Sequence, residues 1–207
     1  MMNKLKKWIL PKEIDFFKSL SDQSLLTQTI IEELQAFYTD KSKQEALHIF
    51  DLITESKKNH SAYLKDLNAT FITPVDRESI SRVYSNLYWV VLSIKHLIIE
   101  VDTYKIYYLG EYSDILGLLK QEMSQLTQGF NDLGERNFDA ALKVINQIIH
   151  LDNELIYSYA AHLAKLFEES DTKHVLMHKE ILSQLKEISK RIHTCANLLE
   201  DIVFKIT

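Results

Sequence analysis

Leu67-Asn68-Ala69-Thr70-Phe71-Ile72-Thr73-Pro74-Val75-Asp76-Arg77-Glu78-Ser79-Ile80 decides how the rest of the chain is read. The run closes one helix and opens another. Pro74 lacks a backbone N–H and has a fixed φ, so it suits the first helical position and no interior one. Thr73 offers its hydroxyl as the N-cap, and Asp76 puts a carboxylate in the first turn, at the positive end of the helix dipole. The spacing predicts a helix from this cap to about Lys105, preceded by one that ends near Leu67. From Leu87 to Val101 the new helix is apolar nearly all round, the pattern of a central helix with several neighbours.

Outward from this run, periodicity predicts four more helices. One runs from about Glu13 to Tyr38, with Leu26, Ile30, Leu34 and Phe37 on one face. The polar stretch Thr39 to Lys43 reads as a loop, and the helix before the quoted run starts at about Gln44, with a very polar middle from Thr54 to Ser61. Gly110 marks a mid-chain break. A fourth helix covers about Tyr112 to Phe130, Asn131 to Asn137 reads as a turn, and a fifth covers about Phe138 to Glu169. The sixth, from about Lys173 to Ile206, carries the cleanest stripe: Ile181, Leu185, Ile188, Ile192, Cys195, Leu199, Ile202 and Ile206 form a heptad seam. Such a seam suits an internal bundle or a homo-oligomer. The expected fold class is all-α: one domain over residues 1–207, with two antiparallel three-helix halves at about 13–106 and 112–206.

Composition agrees. Only 4 Gly and 2 Pro in 207 residues leave few breaks for strands and tight turns. A net charge of −5 argues against a nucleic-acid surface. Cys195 is the only cysteine, so neither an internal disulfide nor a thiolate metal cluster can form within one chain. No stretch is long and apolar enough to predict a membrane span, and Trp8 to Leu10 is too short for a signal-peptide core, so the expected localisation is cytoplasmic. Lys4, Lys6, Lys7 and Trp8 read as a loose terminus, with contact to an anionic membrane as the alternative. No nucleophile arrangement and no glycine-rich phosphate loop appears, so no enzyme is expected.

The quoted run resembles the L-N-x-T-F-I-T-P-x-D-R-E-D-I signature of the short PhoU-like (DUF47, UPF0111) proteins, departing from it at Ser79, where the family has Asp. Ala196-Asn197-Leu198-Leu199-Glu200-Asp201-Ile202-Val203 is similar to the family's closing A-N-x-L-E-D-I-V stretch, and Leu166-Phe167-Glu168 to the close of its fifth helix. The resemblance implies a six-helix PhoU-like fold. It also implies a non-enzymatic regulator or accessory protein of inorganic phosphate transport. Its partner would be a phosphate transporter, met at the membrane only through that partner. Within the signature, Thr73, Pro74, Asp76, Arg77 and Glu78 read as a helix cap with an ion pair, or as a partner contact.

The family also carries E-x-x-x-D motifs, whose carboxylates share a helix face and bind metal. Carried onto this chain, those positions fall on Ile53 and Lys57, on Tyr88, Trp89 and Leu92, on Asp152 and Ile156, and on Lys186 and Lys190. Apolar and ammonium groups replace most of the acids, so no metal cluster and no cofactor is expected. The two lysines are candidates to fill the cation's space opposite Asp152. One cation held by Asp152, His150 and Glu154 is the residual candidate, and a metal-binding module or a homo-oligomerising bundle are the alternative functions. His174 and His178, four apart, read as solvated histidines unless acids join them to hold zinc. Trp89 reads as core.

Overall fold

The computed structural model describes residues 14–40 and 47–207. The basic start at Lys4 to Trp8, the expected helix starts at Glu13 and Gln44, and loop residues Lys41 to Lys43 lie outside the described residues. Those described form six α-helices and no strand: α1 Phe16–Thr39, α2 Leu47–Ala69, α3 Arg77–Tyr104, α4 Ser113–Gly134, α5 Phe138–Leu166 and α6 Thr172–Ile206, with a 3-10 turn at Gly110–Tyr112.

α1, α2 and α3 pack on one another, as do α4, α5 and α6, and the two sets join where α1 meets α4 and α3 meets α6. At the first seam Ser24 and Thr127 hydroxyls lie 3.0 Å apart in the interior. At the second, Gln184 Nε2 donates to Glu100 Oε1 at 2.7 Å. α3 therefore has neighbours on three sides, and its run Leu87, Val90, Val91, Ile94, Leu97, Ile98 and Val101 is buried, as its all-round apolarity predicts. Trp89 departs from the expected core: it is 46% exposed, because α3 keeps one strip open to solvent, and the Arg191 guanidinium lies 5.4 Å from the ring centre. The α6 seam is internal, with Ile181 through Ile202 buried against the molecule's own helices.

α3 ends where its spacing suggests, whereas the fourth helix runs past Phe130, and both stop in the same way. α4 runs on through Gly134, and its stop is Arg136 in the left-handed region at φ 61°, with Asn137 N–H donating back to Asp132 O at 2.8 Å. α3 ends likewise on Lys105 at φ 60°, with Ile106 N–H donating to Val101 O at 3.0 Å. Both stops use the six-to-one bond usually built on glycine. A cation replaces it here and complements the carbonyl end of the dipole. The chain then crosses between the halves, pinned by Leu109 N–H on Tyr38 O at 2.8 Å.

Candidate functional site

The helix cap in the quoted run lies three residues later than its spacing suggests. Asp76, not Thr73, is the N-cap of α3: its carboxylate accepts the Ser79 N–H and the Ser79 hydroxyl, both at 2.9 Å. An aspartate reaches the N3 amide as well as a threonine does, and Pro74 fits the extended turn ahead of it. The Thr73 hydroxyl instead donates to Val75 O at 2.6 Å. Arg77 folds back to donate to Thr70 O and, at 3.3 Å, to Phe71 O, clamping the end of α2 to the start of α3. Glu78 is exposed in the first turn of α3.

From α6, Lys205 Nζ donates to Asp76 Oδ2 at 2.8 Å and to Ser79 Oγ at 2.7 Å. The Lys205 bond, with those from Ser79, holds the Asp76 carboxyl down at about 2. The one departure from the signature, Ser79, thus joins the ion pair as a neutral bridge. The clamped loop presents Phe71, 93% exposed, and Ile72, 82% exposed. Two such side chains on a fixed frame are unusual in a solvated loop.

The interior holds a second arrangement. Glu122 on α4 is fully buried, and Ser189 Oγ on α6 lies 2.8 Å from both Glu122 Oε1 and Asp152 Oδ1 of α5. His193 Nδ1 lies 2.9 Å from Asp152 Oδ2. A hydroxyl has one proton, so Ser189 cannot donate to both acids. Burial, reinforced by the Asp152 charge, pushes the Glu122 carboxyl up to about 8, against the pull of the Ser189 bond. At neutral pH Glu122 is therefore the acid: it donates to Ser189, Ser189 donates to Asp152 Oδ1, and His193 N–H supplies the other Asp152 oxygen. Glu122 Oε2 is left buried with no partner.

The three residual metal candidates do not converge. Asp152 turns inward to Ser189 and His193, whereas His150 and Glu154 pair at 3.4 Å on the surface. Lys186 and Lys190 do not stand opposite Asp152: both are exposed, with Lys186 Nζ 4.7 Å from the Tyr159 ring centre, because Ser189 and His193 occupy the inward face of that turn. Among the described residues no set of three or more His, Cys, Asp or Glu side chains could hold a metal ion. Of the other motif positions, Ile53 is buried, Lys57 is exposed, and Tyr88 stacks on His60 at 4.6 Å.

His178 departs from its solvated reading. It is buried, its Nδ1 lies 2.7 Å from the Tyr112 hydroxyl and 3.4 Å from Glu111, and burial pulls its pKa down. His174 stacks on it at 4.0 Å and pairs with Glu169 at 3.2 Å, so acids do join the pair, but as separate one-to-one contacts.

Sequence reasoning missed Glu122, Ser189 and His193, and two signals could have found them. Glu122 interrupts the apolar stripe Ile115, Leu119, Met123 and Leu126 of α4. Ser189-Lys190-Arg191-Ile192-His193 also repeats the pattern of Ser56-Lys57-Lys58-Asn59-His60 on α2. There Ser56 is fully buried and accepts from Gln23 Nε2 at 2.8 Å, while Gln23 Oε1 and His60 Nε2 are buried with no partner.

No family profile matches the chain. UPF0111 protein YkaA of Bacillus subtilis is 25% identical over 154 residues, covering 73% of this chain and 75% of that protein. A PhoU-like protein from Shewanella oneidensis superposes with a TM-score of 0.76 at 14% identity, over 91% of this chain and 99% of its own. A second from that organism, described as a PhoU-like phosphate regulatory protein, superposes at 0.74 with the same identity and coverage. The two structures show the fold. It is the YkaA match and the signature run that liken this chain to the PhoU-like (DUF47, UPF0111) family.

Proposed function

We propose that the protein is a non-enzymatic regulator of inorganic phosphate transport that acts by protein contact, with a phosphate transporter at the cytoplasmic membrane face as its partner. The observation that carries this reading is the clamped α2–α3 loop, where Arg77 holds Phe71 and Ile72 out in solvent. Exposed apolar side chains on a rigid frame are what a contact surface requires. The phosphate setting is supported by the name of a structural neighbour and by the resemblance of the signature run. No described helix is long and apolar enough to cross a membrane, so the reading is of peripheral contact made through the partner. The two halves act as one unit in this reading, as a pseudo-repeat of three helices each.

Co-purification from cells grown at high and at low phosphate tests it. A phosphate transporter is expected with the unaltered chain and not with the double variant Phe71→Ser, Ile72→Ser. The variant should melt normally, since neither side chain packs in the core. Failure to recover a transporter in either condition overturns the reading.

A further inference from the structure

α5 has a face that its own bundle does not use. Its buried side chains are Ala141, Val144, Ile145, Ile148, Leu155 and Leu166, so most lie in its first half. From Ile149 onward, Ile149, Asn153, Ile156, Ala160, Leu163 and Phe167 recur at alternating steps of four and three, a heptad seam like that of α6. Unlike the α6 seam, this one is open over most of its length: Ile149 is 37% exposed, Ile156 40% and Phe167 58%, and Asn153 and Ala160 are exposed as well, while Leu163 packs half-buried on the core. No residue of the seam is charged, although the solvent face of a helix normally carries charge. Ile156 at its centre stands where the resembled family has an acid.

We propose that this seam is a docking surface for the same seam of a second copy of the chain, as a parallel two-fold helix pair with Asn153 opposite Asn153. A two-fold interface needs a patch that complements itself. In parallel register each layer meets its like: Ile149 and Ile156 make apolar layers, and small Ala160 lets the backbones approach. The Asn153 amides then supply donor and acceptor to each other, and a single Asn in such a seam fixes register and pair number. Antiparallel pairing sets Asn153 against Leu163 and leaves the amide facing an apolar side chain, which is costly. The seam is about 27 Å long at about 1.5 Å per residue. One helix pair of that length falls in the small class of interfaces, below about 1,200 Å², so the dimer should be weak and concentration-dependent. This inference does not rest on the transporter reading.

Sedimentation velocity on the full chain, from low to high micromolar, tests it. The unaltered chain should pass from monomer to dimer. Ile156→Lys should raise the dissociation constant at least about tenfold, with an unchanged melting curve because the side chain faces solvent. Asn153→Cys should give a disulfide-linked dimer under mild oxidation, while Cys195, fully buried, stays out of the reaction. A strictly monomeric chain, or a dimer that Ile156→Lys leaves intact, overturns the proposal. So does a dimer that cross-links only in a mixture of Ile156→Cys and Ala160→Cys, the antiparallel outcome.

Discussion

The two halves of the molecule solve one structural problem with different charges. In the first, Gln23 of α1 reaches Ser56 of α2, and His60 lies one turn further on. In the second, Glu122 of α4 meets Ser189 of α6, and His193 lies one turn further on. In each, a serine hydroxyl inside the core meets one terminal atom of a buried side chain, Gln23 Nε2 or Glu122 Oε1, and the remaining oxygen, Gln23 Oε1 or Glu122 Oε2, has no partner. The difference is one amide against one acid, with Asp152 added beside the acid. The amide cluster cannot titrate at Gln23, whereas the acid cluster must keep a proton to remain buried. Identical spacing therefore gives one half a stability independent of this proton and the other a stability that depends on it.

The largest test removes that dependence. The Glu122 carboxyl is raised from 4.5 to about 8, so the folded state holds the proton more tightly than the unfolded chain. Its contribution is fully present below 4.5 and is lost as pH rises toward about 8. Glu122→Gln should abolish this loss, worth on the order of 3 to 5 kcal/mol between those limits. Urea unfolding of both proteins at pH 5 and pH 9 measures it. An equal pH slope in the two proteins ends the distinction between the halves.

The converse substitution, Gln23→Glu, should give the first half the weakness of the second. It should cost about 1 to 3 kcal/mol at pH 9 and much less at pH 5, read in the same experiment. At the surface, Asp76→Ala removes the α3 cap and the Lys205 pair together and should cost about 1 kcal/mol at neutral pH. Because the Asp76 carboxyl is held at about 2, below its ordinary 3.8, its contribution is present above 3.8 and fades only as pH falls through 2. A melting temperature that is indifferent to the substitution shows that the cap is satisfied by water.

The helices were legible because their stripes are long and breakers are few. What sequence could not settle was which side of a helix faces a neighbour. Heptad spacing marks the α6 seam and the second half of α5 alike, yet one is buried and the other open. Trp89 was misplaced for the same reason: apolar composition does not tell an inner strip from an outer one. The α3 cap was three residues off because Thr73 and Asp76 both carry capping oxygens, and only the geometry of the turn chooses between them. In the candidate site, the position-by-position transfer of motif acids sends most of them to residues that cannot ligate. It could not foresee that a one-turn shift along α6 puts Ser189 and His193, and not Lys186 and Lys190, against Asp152.

The cap at Asp76 also bears on how the molecule yields to force. The backbone passes between the halves only beyond the far end of α3, a helix of 28 residues, so the cover is bound along one edge. At the opposite edge the halves are held by Lys205 on Asp76, an exposed ion pair that salt weakens, and by the Ser21 hydroxyl on Asn131. The halves should part there first, like a book held at its spine. Phe71 and Ile72 sit at that edge, where a given push has the longest lever arm.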